Sequence, residues 1–274
     1  MPRRIEIPRF PRNKRVAVTL SFDDGVVSDL PLLEKLNAWG LRATWNLNSG
    51  LLGRGRHGSG ECDYLRPGDV AKSYAGHEVA IHTVSHPWLE RLDRSQIARE
   101  VLDDRRALED LVGYPVRGMA YPYGTYDSHV IDVLRSLGIV YARTCETSDS
   151  PFPAEDPLAW KSTGHQYAAD LLAKWHHWYD GSWFKGVFFV WGHSYEFHVK
   201  NDWAAVDRIF KPLSGKPDAW YCTNLELFDY EAARQRLVIA ANLKSAHNPS
   251  GIPVTLLADS TLIEVPPGQT LTIP

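Results

Sequence analysis

Cysteine is scarce in this chain: Cys62, Cys145 and Cys222 are the only three in 274 residues. Their wide spacing forms neither zinc-binding pairs nor a disulfide framework, so each reads as a small buried hydrophobe. Excess basic charge is also missing. Thirty Lys and Arg stand against 33 Asp and Glu, a formal net charge of -3, which leaves no electrostatic footprint for nucleic acid. No apolar run is long enough to span a bilayer, so no membrane partner is expected. The N-terminal Arg3 and Arg4 are not followed by an apolar core, so the start does not read as a signal peptide. A cytoplasmic location is expected for the chain as written, and a secreted one if a signal has been removed. The sequence leaves the oligomeric state open.

What is present is an ordinary globular balance of 44% hydrophobic and 23% charged residues. Length alone suggests about two domains, although α/β barrels of this size often form one. Ten tryptophans and twelve tyrosines serve either as bulky packing or as faces for sugar rings. Apolar periodicity predicts strands at 16–22, 42–47, 78–81, 116–120, 139–142, 187–191 and 220–223. Between them it predicts helices at 28–39, 69–74, 95–111, 129–137, 167–179, 203–210 and 225–238. Residues 1–14 read as an extended lead-in, and 51–68 and 145–164 as loops. Such alternation implies a mainly parallel sheet. From about residue 244 the pattern changes to short strands around Asp259-Ser260 and Pro266-Pro267-Gly268. The expected organisation is a catalytic domain at 1–243 with a small β extension at 244–274 packed on it.

Polar side chains with chemistry stand at the ends of three predicted strands. Ser21-Phe22-Asp23-Asp24-Gly25 carries two adjacent carboxylates, which in isolation is also how a plain turn reads. His82-Thr83-Val84-Ser85-His86 places two imidazoles four apart before Pro87, and lacks the Glu of the His-Glu-x-x-His metalloprotease motif. Val190-Trp191-Gly192-His193 ends an apolar run on a histidine that packing does not explain. One carboxylate and two imidazoles suit a divalent metal with an open position for water. The second carboxylate and the third histidine remain for proton transfer.

These strings, with Tyr121-Pro122-Tyr123-Gly124 between them, resemble the signature of the polysaccharide deacetylases, the NodB-like carbohydrate esterases. Order and spacing agree over about residues 16–230. The resemblance implies an α/β fold, the family's incomplete (β/α) barrel, with the site at the C-terminal ends of the strands. It implies that Asp24, His82 and His86 bind one divalent metal, zinc first, with cobalt, nickel or manganese as alternatives. Asp23 would be the general base, His193 the general acid, and the Tyr123 N–H an oxyanion donor. Tyr121, Tyr123, Trp160 and Trp191 are the expected substrate-binding aromatics. The implied partner is an acetylated oligo- or polysaccharide, and the implied reaction is metal-dependent removal of its acetyl groups, N-acetyl first. O-acetyl ester and small-amide hydrolysis are alternatives within the enzyme class. A carbohydrate-binding protein without turnover is the alternative outside it.

Two departures from the family pattern stand out. The arginine that pairs with the base in the family is replaced at its usual place by Ala120. Arg143 and Arg117 are the candidates to take over, and Arg143 is preferred because strand ends face the site. The family's Asp-x-x-Asp-Trp string is absent between 140 and 165. Trp160, His165, Trp191 and Glu196 are candidate substitutes.

Overall fold

The computed structural model describes residues 4–58, 62–181 and 186–274. Residues 59–61 of the loop expected at 51–68, and 1–3 of the lead-in, lie outside the described residues. The strands are β1 (Ile5–Glu6), β2 (Val16–Asp24), β3 (Ala43–Leu47), β4 (Glu78–Ile81), β5 (Gly118–Ala120), β6 (Tyr141–Thr147), β7 (Trp160–Ser162), β8 (Gly164–His165), β9 (Val187–Gly192), β10 (Ala219–Tyr221), β11 (Val238–Ile239), β12 (Ser245–His247), β13 (Val254–Ala258), β14 (Thr261–Val265) and β15 (Thr270–Thr272). The helices are α1 (Asp29–Ala38), α2 (Val70–Ser73), α3 (Arg94–Val112), α4 (Ser128–Ser136), α5 (Leu171–Asp180), α6 (Tyr195–Val199), α7 (Ala204–Phe210) and α8 (Asn224–Arg236).

Strands β2 to β10 form one parallel sheet in the order β7-β6-β5-β4-β3-β2-β9-β8, with β10 beside the first half of β2. Its two end strands, β7 and β8, are consecutive in the chain with only Thr163 between them, and among the described residues no ladder joins them. The fold is therefore an α/β barrel of the incomplete type. Strand β2 is paired with β3, β9 and β10 and is buried at every position, which explains its near-continuous apolar sequence. Leucines and valines of α1, α3 and α4 pack on the outside of the strands in the main core. The ends of α3 are set locally. Asp93 and Gln96 form a capping box, and Gly113 closes the helix in the left-handed region at φ 77°.

The expected loop at 145–164 instead holds the end of β6 and all of β7. Both are short, and their pairing depends on an irregular register between Arg143 and Thr147, which no local periodicity encodes. Helix α6 was likewise not legible, since five residues are too few for an apolar stripe. The helix expected from 167 begins at Leu171.

The strands of 244–274 pair with segments that precede them. Strand β13 lies between β1 and β14, and β12 lies between β11 and β15. Asp259 and Ser260 turn the β13–β14 hairpin with φ of 45° and 75°, the positive pair that suits the twist of a two-residue loop. Leu256, Val254 and Val265 bury themselves against Ala233 and Leu237 of the α8 end. Leu256 is fully buried, so Leu256→Ala should cost about 2–5 kcal/mol. Urea denaturation checks this, with kcat expected to stay unchanged below the transition. Wild-type stability would mean that the extension does not pack on α8 as described.

Candidate active site

The functional strings meet at the C-terminal ends of β2, β4, β5, β6 and β9, around a cavity of about 640 Å³. Asp23 and Asp24 close β2. Asp24 has φ 83° and Gly25 φ 71°, and this left-handed pair turns the chain sharply so that the two carboxylates point apart. A Cβ on Gly25 would come within 2.9 Å of the Leu47 side chain, so glycine is required by space as well as by φ.

Asp23 is buried under Arg143. The guanidinium Nη2 donates to both carboxylate oxygens, at 2.5 Å for Oδ1. Asn46 on β3 donates from Nδ2 to the same Oδ1 at 2.8 Å. Burial pushes the Asp23 carboxyl up, but Arg143, with His82 and His193, holds it below the usual carboxylate range. Of the two arginines considered from sequence, the structure puts Arg143 on Asp23. Arg117 instead pairs with Asp229 at 2.6 Å, half-exposed on the outside of the barrel. Arg143 also lies 4.5 Å over the Trp191 ring, a cation–π contact that steadies it.

Asp24 faces two histidines. Its Oδ1 is 3.6 Å from His82 Nε2 and 3.7 Å from His86 Nε2. Its Oδ2 is 3.2 Å from His57 Nε2. Burial raises the Asp24 carboxyl, but the His57 hydrogen bond and the nearby imidazoles hold it well below the usual range. His82 Nδ1 lies 2.8 Å from the Ala120 carbonyl. A carbonyl only accepts, so Nδ1 carries a hydrogen and Nε2 is the ring nitrogen turned toward Asp24. The backbone at His82 is held too: its N–H donates to Asp104 Oδ2 at 3.0 Å, and Asn48 donates to its carbonyl. His86 is turned inward by positive φ at Thr83 (70°) and at His86 itself (58°). Burial, then the neighbouring His82, pushes the His86 imidazole down to about 4, so it is neutral and able to ligate.

Asp24, His82 and His86 thus present one oxygen and two nitrogens, all within 4.8 Å of one another. A neutral His86 imidazole, a His82 ring oriented by the Ala120 carbonyl and an ionised Asp24 carboxylate suit a divalent ion.

His193 follows β9. Its Nε2 lies 3.8 Å from Asp23 Oδ2, and its Nδ1 2.8 Å from Glu196. The His193 carbonyl accepts from Gln166 Nε2 at 2.8 Å. That amide fills the space beside Gly192, where a Cβ would come within 2.3 Å of it.

The expected aromatics divide. Tyr123 is 48% exposed, has φ 59° and stacks on Trp88 at 3.9 Å. Trp191 lines the cavity, largely buried. Tyr121 lends its ring to the wall, but it is buried and its hydroxyl donates to the Leu158 carbonyl at 2.6 Å. Trp160 is a correction. It is fully buried in a second core, its Nε1 donates to the Pro151 carbonyl at 2.8 Å and its ring stacks on Phe189. A β7 side chain directed into the core cannot face substrate. Of the cysteines, Cys62 and Cys222 are buried and Cys145 lines the cavity, all free.

Residues 11–142 match the polysaccharide deacetylase family. Over that stretch, just under half of its length, the chain resembles the polysaccharide deacetylases. The matched stretch contains Asp23, Asp24, His82, His86 and Tyr123 but not His193. The chain is 28% identical over 138 residues, 48% of its length, to the peptidoglycan-N-acetylglucosamine deacetylase PgdA of Listeria monocytogenes, of which the match covers 27%. It is 28% identical over 122 residues, 44% of its length, to chitin deacetylase 1 of Cryptococcus neoformans, of which the match covers 24%. The match therefore spans about a quarter of these relatives. A putative polysaccharide deacetylase from Mycobacterium smegmatis superposes with TM-score 0.60 at 16% identity, covering 82% of this chain and 93% of that one. The Puue allantoinase superposes with TM-score 0.62 at 13% identity, covering 81% and 92%. Both likenesses are of fold, and that shared fold extends in this chain well past residue 142.

Sequence reasoning missed His57 and Asn46. His57 stands in a loop without periodicity and reaches Asp24 between the rings of Tyr64 and Tyr195. Asn46 lies inside a strand, where only the parallel register of β2 with β3, Asp23 opposite Asn46, brings it to the carboxylate.

Proposed function

We propose that this chain is a metal-dependent hydrolase that removes acetyl groups from a saccharide, with N-acetylated chito-oligosaccharide or peptidoglycan-type glycans as its substrates. The observation that carries the reading is the separation of roles around one cavity. Asp24 turns toward His82 and His86, while Asp23 turns toward Arg143 and His193. The curated relatives, a peptidoglycan-N-acetylglucosamine deacetylase and a chitin deacetylase, support the N-acetyl class.

Asp24, His82 and His86 would hold a divalent ion, which would supply the positive charge needed to polarise the acetyl carbonyl and acidify water. Asp23, kept ionised by Arg143, accepts a proton from the attacking water as its oxygen bonds to the carbonyl carbon. The Tyr123 backbone N–H donates to the oxygen that gains charge. His193 delivers a proton to the nitrogen as the carbon–nitrogen bond breaks, leaving acetate and a free amine. Tyr123 and Trp191 offer faces to the sugar. Acetate release from chito-oligosaccharides, peptidoglycan fragments and acetylated xylan, with and without chelator, tests the reading. Chelator-sensitive release from the first two supports it. Release from xylan alone would make the enzyme an ester hydrolase, and no release from any would sink the proposal.

The role of His193 has its own test. Amines leave poorly unless protonated, whereas phenolates leave readily. His193→Ala should therefore reduce kcat/KM on an N-acetyl saccharide by about 10²-fold or more, and much less on an activated aryl acetate. Equal losses on both would assign His193 to the oxyanion or to the fold.

A further inference from the structure

His193 is followed by Glu196 at the start of α6. One carboxylate oxygen, Glu196 Oε1, lies 2.8 Å from His193 Nδ1 and 3.0 Å from His165 Nε2. The outer partners assign the hydrogens. The Tyr167 backbone N–H lies 3.3 Å from His165 Nδ1. An N–H only donates, so His165 Nδ1 accepts and its Nε2 carries the hydrogen toward Glu196. Burial pushes the Glu196 carboxyl up, but the hydrogen bonds from His165 and His193 bring it down to about 2. The ionised oxygen therefore accepts from both imidazoles. His193 then carries its fixed hydrogen on Nδ1 and turns Nε2 toward Asp23 and the cavity. The Trp191 and His165 rings meet in a T-shape with centroids 4.7 Å apart, so the far end of the chain of contacts is braced by the β9 strand that carries His193.

We propose that Glu196, steadied by His165, is the positioning carboxylate of His193. The proposal rests on the reading of His193 as proton donor. It assigns the role to a residue on the element that follows the histidine, one turn of chain away, and so makes ring orientation a local property of the 193–196 segment. These three side chains are also close enough to hold an ion. Their 2.8 and 3.0 Å contacts are hydrogen-bond lengths, and the test separates the two cases. Among the described residues, the other charged and titratable groups facing His193 include Asp23 and Asp24 of β2, His86 beyond β4 and Tyr195 of α6.

The test uses the full chain as Glu196→Gln and His165→Ala beside wild type. Glu196→Gln should lower kcat on an N-acetyl saccharide by about 10²-fold, with little change in KM, and spare an activated aryl acetate. Losing the carboxylate lowers the proton affinity of His193, so the alkaline limb of the pH profile should move to lower pH. His165→Ala should move it the same way by less. Metal content should stay near one equivalent in both. Wild-type kcat and an unmoved limb in Glu196→Gln would overturn the proposal, as would loss of a second metal equivalent. Nitrogen-15 chemical shifts of His193 decide independently of turnover. A hydrogen on Nδ1 in wild type, with a lower titration midpoint in Glu196→Gln, supports the proposal even if no tested glycan is a substrate. A hydrogen on Nε2, or an unmoved midpoint, overturns it.

Discussion

Asp23→Asn should lower turnover by about 10²–10⁴-fold while metal content stays near that of wild type. Asparagine has the shape of aspartate but cannot take a proton from water. The Asp23 carboxylate is held ionised by the Arg143 guanidinium against the push of burial, so at neutral pH it is ready to accept. Arg143 is fully buried, and the substitution leaves that charge without its counter-ion. A loss of stability on the order of 3–5 kcal/mol should follow, so turnover is to be measured well below the thermal transition, which calorimetry locates. Asn46 still has an acceptor to reach, and Asp24, which faces the other way, keeps its histidines. Wild-type turnover in the folded variant would show that another group takes the proton, and Asp23 would then serve only to neutralise Arg143.

The His82→Ala, His86→Ala double change should take metal from near one equivalent to near none, and turnover with it. The two imidazoles are prepared differently for this task. His82 is fixed by the Ala120 carbonyl at Nδ1 and by Asp104 and Asn48 at its backbone. His86 is kept neutral by burial, down to about 4, and is aimed by the left-handed turn at Thr83 and His86. Asp24 alone, with one oxygen engaged by His57, is too small a donor set for a divalent ion in competition with water. Elemental analysis of the purified variants, before and after dialysis against chelator and re-addition of zinc, reads the outcome. Full occupancy in the double variant would remove these histidines from the metal site.

Much of the site was legible because it is written as short strings at strand ends. Asp23-Asp24, His82 and His86, and His193 each follow an apolar run, and strand ends in a parallel barrel converge on one rim. The alternation of strands and helices was legible for the same reason, since burial on both faces leaves a continuous apolar run and one-sided packing leaves a helical stripe. Other residues carried no such mark. Trp160 looked like a sugar platform, and its core position follows from the direction of β7, a strand too short and too polar in context to read. Glu196 lies only three residues from His193, but its place depends on the short helix α6.

By itself the amino-acid sequence determined the order of the longer strands and helices, the residues that end the strands, and the chemistry those residue types permit. These are properties of local pattern and of side-chain identity. The tertiary structure decided which partner each of them meets: Arg143 rather than Arg117 on Asp23, Asn46 across the β2–β3 register, His57 behind Asp24, and Glu196 between two imidazoles. Those choices depend on strand register, on the twist of the sheet and on backbone turns of positive φ. Apart from the His193–Glu196 contact, which spans three residues, each is fixed by contacts between segments distant in the chain, so no window along the sequence contains them.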